Sequence, residues 1–283
     1  MSTDNDPAYL YKYRSLKGEA REHTERIVMD NVIWFSSPAC FNDPFDCSPI
    51  FSMKASNVDT QRYLASLFQE TVRGLSRNQR RTMLNRMIND PERGIRSPQF
   101  SSIMHERQMR SINSAGILSL SALPDQMLMW SHYGEAHTGI CLRFSCAPWA
   151  FPICVAQKVI YSAARPIVRL IMDDADSHVN KAILTKADYW AYEEEWRVIS
   201  FPGSGIGKNG PGLTTFKAKA LDGLIVGARI SDDDAAAVRQ WVKTREFPVE
   251  LLKARLNADQ FRINIVPLDS PCKKSDIKIS SVG

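Results

Sequence analysis

The six cysteines of this 283-residue chain include no C-x-x-C pair, so the ligand spacing of a zinc ribbon and the signature of a dithiol oxidoreductase are both missing. Cys141, Cys146 and Cys154 stand in apolar, strand-like runs where reduced thiols are commonly buried, and neither a disulfide framework nor a metal centre is expected. Long hydrophobic runs are lacking too. No stretch approaches the ~18 consecutive apolar residues of a membrane helix, and Met1 to Pro7 is polar and acidic where a secretory signal is basic and then apolar. A cytoplasmic protein with no membrane partner is the expectation. The glycine-rich segment 202–212 places Pro202 and Asn209 where G-x-x-x-x-G-K-[ST] needs a glycine and a hydroxyl, and no helix pattern follows, so it reads as a hairpin loop. With no internal repeat and no linker, the chain reads as one domain over 1–283 with a helical insertion at about 57–115.

What is present is an ordinary globular composition, 44% hydrophobic and 24% charged, which excludes a disordered chain and allows a sizeable core. The net charge is only +5, yet residues 73–110 hold nine arginines, no lysine and three acids (Asp90, Glu92, Glu106), a local excess of +6. Arginine forks suit phosphate, which points to nucleic acid; the plainer reading is a solvated helical face over a core stripe of Leu64, Leu67, Phe68, Val72, Leu75, Leu84, Met87 and Ile88.

Patterning predicts strands at Tyr9–Arg14, Val32–Ser37, Gly116–Ser121, Gly139–Phe144, Ile153–Tyr161, Trp196–Phe201, Leu224–Val226, Val249–Leu252 and Phe261–Val266. Helices are predicted at Glu19–Asp30, within 57–115 with breaks at Asp90-Pro91 and Ser97-Pro98, and near 126–133, 166–186 and 232–245. Ser231, with Asp234 three residues on, marks the start of the last of these. The mixture implies an α+β fold.

The segment Tyr189 to Ile199 sets Glu193, Glu194 and Glu195 among aromatics and Arg197. As a strand it would put Glu193, Glu195 and Arg197 on one face, two carboxylates one pleat apart, with the arginine holding one ionised. That division suits acid/base work or stabilisation of a cationic sugar. The alternative is an edge strand with cross-strand ion pairs. Met127 to Gly139 brings Trp130, His132, Tyr133 and His137 together before a strand; histidines five apart do not share a metal-binding helix face, so substrate orientation or proton shuttling is weighed against a packed helix end. Phe41 to Asp46 offers Asn42 and Asp43 in a proline turn that either presents ligand contacts or only turns the chain.

Four blocks, Tyr11-Lys12-Tyr13-Arg14, Phe41 to Asp46, Met129 to Tyr133 with His137-Thr138-Gly139, and Tyr192 to Arg197, resemble the pattern of a widespread bacterial and phage domain family of unassigned function. More distantly, the order of a basic early strand, a second strand ending in hydroxyls and a late E-x-E strand is similar to ADP-ribosyltransferases. That resemblance implies a mixed, twisted, split β-sheet with NAD as substrate and a macromolecular acceptor, nucleic acid or protein. It would place Arg14, then Ser36 and Ser37, at the cofactor; Tyr13, Asn42, Asp43, Trp130, His137 and Arg197, from the four blocks, are further cofactor-binding candidates. Glu195 would be the catalytic glutamate that stabilises the sugar cation, and Glu193 would orient or deprotonate the acceptor. His132 and Tyr133 are catalytic candidates from the third block and, with His137, have no counterpart in the transferases. A toxin or antiphage effector, with an antitoxin or defence partner, is the biological extension. Phe35-Ser36-Ser37-Pro38 matches the hydroxyl motif only approximately. A non-enzymatic nucleic-acid-binding or regulatory module using the 73–110 surface is the competing reading, and a metal-dependent nuclease is a poorer third.

Overall fold

The computed structural model describes residues 6–71, 74, 76–203, 205–206 and 210–271 and, within 67–71, the backbone alone. The expectations placed on Met1 to Asn5, on the side chains of Leu67 and Phe68, on Val72, Arg73 and Leu75, on Ser204 and 207–209 and on Cys272 lie outside the described residues. In chain order the elements are β1 (Tyr9–Arg14), α1 (Glu19–Asp30), β2 (Val32–Phe35), β3 (Ile50–Ser52), α2 (Asn57–Thr71), α3 (Arg77–Asn89), α4 (Pro98–Asn113), β4 (Gly116–Ser121), α5 (Met127–His132) and β5 (Ile140–Ser145). There follow β6 (Gln157–Lys158), β7 (Ile160–Ser162), β8 (Ile167–Arg169), α6 (Ala175–Ala182), β9 (Thr185–Ala187), β10 (Glu195–Ser200), β11 (Gly212–Thr215), β12 (Leu221–Val226), α7 (Asp232–Lys243), β13 (Glu250–Leu256) and β14 (Ile263–Pro267).

The chain forms two compact units, 1–37 with 115–159 and 189–283, and 38–114 with 160–188. The first holds a mixed eight-stranded sheet in the order β14-β13-β12-β5-β1-β4-β10-β6, antiparallel except for β12 with β13. Its strands alternate as their sequences dictate: Leu10, Leu118, Leu120, Leu142 and Val198 enter one core, while Tyr13 and Cys141 enter another on the opposite face with Trp130. Helix α1 packs through Thr24, Ile27 and Val28, spaced for one helical face, and ends at Asn31 in the left-handed conformation. Ser231 caps α7 by accepting from the Asp234 amide.

Strand β1 is central and fully paired with β5, but it meets β4 at a single register position, Tyr11 with Ser121. The end of β2 takes up the far end of β4 instead: Ser36 and Ile117 exchange two main-chain hydrogen bonds of 2.9 and 2.8 Å. The sheet is thereby open between β1 and β4 along the Lys12–Arg14 half of β1.

The second unit contains the parallel pairs β3–β8 and β7–β9 and helices α2, α3, α4 and α6. Its small core joins Leu64 and Ile95 to Leu84, Met87, Ile88, Phe100 and Ile171. Capping residues Ser76 and Ser97 start α3 and α4, the latter with proline in its first turn, as the Ser-Pro break predicts.

Three sequence expectations change. Ile153–Tyr161 is a 3-10 turn followed by β6 and β7, because Gln157 and Lys158 pair with β10 whereas Ile160 to Ser162 pair with β9. Residues 166–186 are not one helix: β-branched Ile167 and Val168 pair with β3, and Asp174 caps a shorter α6. Glu193 ends a 3-10 turn and Glu194 adopts φ +42°, so β10 begins only at Glu195 and the expected run of alternating faces starts there.

A Cβ on Gly227, just past β12, would lie 2.1 Å from the carbonyl oxygen of His137. Backbone contacts that short do not relax, so Gly227→Ala is expected to lower the unfolding free energy by more than about 2 kcal/mol in denaturant titration. An unchanged midpoint would contradict this packing of the 134–139 turn.

Candidate functional site

Strand β10 carries the centre of the site. Glu195 and Arg197, two residues apart on one face, form a bidentate pair with Nε–Oε1 at 2.8 Å and Nη2–Oε2 at 2.9 Å; the two side chains are 4% and 0% exposed. Glu195 lies beside Ser121 of β4, which is itself beside Tyr11 of β1. The Ser121 hydroxyl donates to the Glu193 carbonyl at 2.6 Å, fixing the 3-10 turn against β4.

Glu193 is only 3% exposed, and its Oε1 accepts from the Tyr133 hydroxyl at 2.8 Å. A parallel contact joins the Tyr192 hydroxyl to His132 Nδ1 at 3.2 Å. Helix α5 and the turn before β10 are therefore tied by two adjacent aromatic-to-polar contacts, which bring all four sequence-predicted catalytic residues, Glu195, Glu193, His132 and Tyr133, into one region.

On the opposite face, at the opening between β1 and β4, lies a cavity of ≈ 280 Å³ lined by Lys12 and Arg14 of β1, His23 and Arg26 of α1, and Trp34 and Ser36 of β2 with its neighbours. Its charged walls are cationic, with an exposed tryptophan at one side. Arg14 is steadied by donating from Nε to the Thr24 hydroxyl at 3.2 Å. Lys12 half-buries its stem and donates to the Ser119 carbonyl at 2.8 Å, where a regular β1–β4 ladder would have placed a backbone amide. Burial lowers the Lys12 pKa to about 8, with Arg14 adding to the effect, against the opposing pull of Glu195 and then Glu193.

His137 sits in a turn of three consecutive left-handed residues, Glu135, Ala136 and His137, at φ 51°, 49° and 71°. Such non-glycine conformations cost about 1–2 kcal/mol each. The turn is held by Gly139, where a Cβ would come within 2.2 Å of the Arg14 carbonyl oxygen, and by Gly227 and Arg229 amides donating to the Gly139 and His137 carbonyls. His137 Nε2 lies 3.3 Å from the Ser131 hydroxyl, and burial, with Arg229, lowers its pKa. Its Nδ1 is buried with no partner among the described residues.

The remaining expected residues are placed as follows. Tyr13 and Trp130 stack edge-on at 5.2 Å in the core, with the Tyr13 hydroxyl and the Trp130 indole nitrogen donating to the Leu123 and Pro124 carbonyls. Ser36 lines the cavity and Ser37 does not. Asn42 and Asp43 belong to the second unit, where Asp43 accepts from the Phe45 amide and builds the turn. Lys12, His23, Arg26 and Trp34 were not singled out from the sequence. Lys12 could have been, since it shares a strand face with Arg14; the α1 residues carry no motif that sets them apart from a solvated helix.

A family model described as a protein of unknown function (DUF2971) matches residues 129–198, spanning the Met129–Tyr133 and Tyr192–Arg197 blocks. No curated protein and no solved structure matches the chain.

A free lysine titrates near ~10.4, so between about pH 8 and that value the unfolded chain holds a proton on residue 12 that the folded chain has lost. The contribution of Lys12 to stability therefore rises with pH through this window and is flat below it. Lys12→Met, which keeps most of the stem, should show a smaller rise in denaturant midpoint than the wild type from about pH 8 to 10. Coincident profiles would contradict a buried amine at this position.

Proposed function

We propose that this protein is an ADP-ribosyltransferase-like enzyme that cleaves NAD and transfers ADP-ribose to a macromolecular acceptor. The observation that carries the reading is the cationic cavity at the opening of the sheet, with the buried Glu195 on the sheet's other face. Arg14, Arg26 and Lys12 offer charge-assisted contacts to a pyrophosphate, Trp34 a face for a ring, and Ser36 a hydroxyl. At ≈ 280 Å³ the cavity is at the small end of ligand pockets, about 300–1,000 Å³, which suits the phosphate-bearing part of a dinucleotide.

In this reading the bond between the nicotinamide nitrogen and the ribose anomeric carbon breaks, its electron pair leaves with nicotinamide, and the ribose becomes cationic. For Glu195, paired with Arg197 on the other face of the sheet, to stabilise that charge, the ribose has to reach through the opening between β1 and β4. The acceptor attacks the anomeric carbon and gives its proton to Glu193, which the Tyr133 hydroxyl orients. His132 and Tyr192 extend the polar edge toward the acceptor. The turn at His137 braces the end of β1 that bears Arg14.

Nicotinamide release from NAD, followed with cell lysate as the source of acceptor, tests the reading. The wild type should release nicotinamide and Glu195→Gln should not. Because removing one partner of a buried pair costs about 3–5 kcal/mol, that variant needs a companion whose fold is safe. Arg26, with its side chain 47% exposed, is such a position; Arg26→Gln should raise the KM for NAD about tenfold at an unchanged Tm. No release by the wild type, or release undiminished in Glu195→Gln, would overturn the reading.

A further inference from the structure

Helix α3 in the second unit is built against its own stability. Its 13 residues carry four arginines and no acid, with Arg77, Arg80 and Arg81 in the first turn and a half, where the helix dipole disfavours positive charge. Arg77 and Arg81 are spaced i,i+4, and like charges at that spacing repel. No residue of the helix is fully buried; Leu84, Met87 and Ile88 pack only partly against Leu64 and Ile95.

The exposed face is unusual in kind as well as in charge. Arg77, Arg81 and Arg86 are interspersed there with the carboxamides of Asn78, Asn85 and Asn89, while the Gln79 carboxamide accepts from the Ser76 amide in the capping box. Arg77 and Arg81 form no ion pair among the described residues. Asp90, at the end of the helix, accepts from the Arg93 and Glu92 amides, and these bonds lower its pKa, so its carboxylate is committed to a turn. Glu106, on α4, faces Arg110 at 4.0 Å. A solvated helix face would intersperse both signs; this one pairs phosphate-gripping forks with the amides that read base edges.

Grooves flank α3 on both sides. One, of ≈ 1060 Å³, is lined by Arg77, Arg80, Arg81 and Asn85 with Gln61 of α2. The other, of ≈ 680 Å³, is lined by Asn78, Gln79, Arg86 and Arg93. An exposed helix that carries phosphate-binding forks beside carboxamides is of the kind that the major groove of duplex DNA admits.

We propose that α3 is a docking surface for double-stranded DNA, with Arg77, Arg81 and Arg86 on the phosphates and the neighbouring carboxamides toward the base edges. The proposal does not rest on NAD chemistry.

The test is fluorescence anisotropy of the full chain, without NAD, on a labelled duplex of roughly 20 base pairs and on single-stranded RNA of the same length, at about 50 to 200 mM salt. Duplex affinity should fall steeply with salt, with a log-log slope of roughly −3 if three arginines each neutralise a phosphate. The triple change Arg77→Gln, Arg81→Gln, Arg86→Gln should weaken duplex binding at least tenfold and flatten the slope. Arg107→Gln with Arg110→Gln, which removes charge from α4, should leave it nearly unchanged. All these positions are exposed, and circular dichroism should report an intact fold. Duplex binding that is absent, or equally strong in the triple variant, would overturn the proposal, as would tighter α3-dependent binding of the RNA strand. Because nicotinamide release is measured separately, a failure here leaves the transferase reading standing.

Discussion

The buried ion pair between Glu195 and Arg197 is the constraint on which the architecture around β10 depends. Taking two charges out of water costs several kcal/mol per ion, and only close bidentate geometry offsets it. The 2.8 and 2.9 Å contacts supply that geometry, but only while β10 keeps both side chains on one face and its register with β4 holds. A one-residue slip would send both charges to the opposite, apolar face beside Val198 and Leu118. An apolar pair of similar volume could serve stability equally well, so charges kept in this position argue for a use beyond holding the sheet together.

The opening between β1 and β4 is the neighbouring irregularity of the sheet. Where the two strands part, a lysine amine replaces a ladder hydrogen bond, and burial and Arg14 lower its pKa against the opposing pull of Glu195 and Glu193. An anion entering the cavity would relieve the crowding of Lys12 and Arg14. The left-handed turn at His137 has a related mechanical role: it stores backbone strain against the end of β1, and Gly139 and Gly227 permit the close approach that holds it.

Much of this could be read from the residues because local and tertiary demands agree. The strand at Tyr9–Arg14, the helix at Glu19–Asp30 and the cap at Ser231 follow from alternation, helical spacing and side-chain capping, and the structure keeps their limits. The readings that changed fall where pairing partners are remote in sequence: β8 forms because β3, more than a hundred residues earlier, offers an edge, and periodicity holds no record of that edge. For the candidate site, clustering of carboxylates and aromatics in Tyr189 to Ile199 marks a segment whose Glu193, Glu195 and Arg197 are buried, but the positive φ of Glu194 breaks the expected alternation at Glu193. The cavity was visible only in part, through Arg14 and Ser36, because its other walls come from α1 and β2 residues whose types are ordinary for a surface.

The central claim is that an anionic dinucleotide occupies the opening of the sheet. The most direct measurement is a crystal structure of the protein grown with saturating ADP-ribose. The account predicts density for the ligand in the cavity, with a phosphate within hydrogen-bonding distance of Arg14 and Lys12 and a sugar edge toward Ser36. Density confined to another part of the molecule, or an unchanged cavity at saturating ligand, would contradict it.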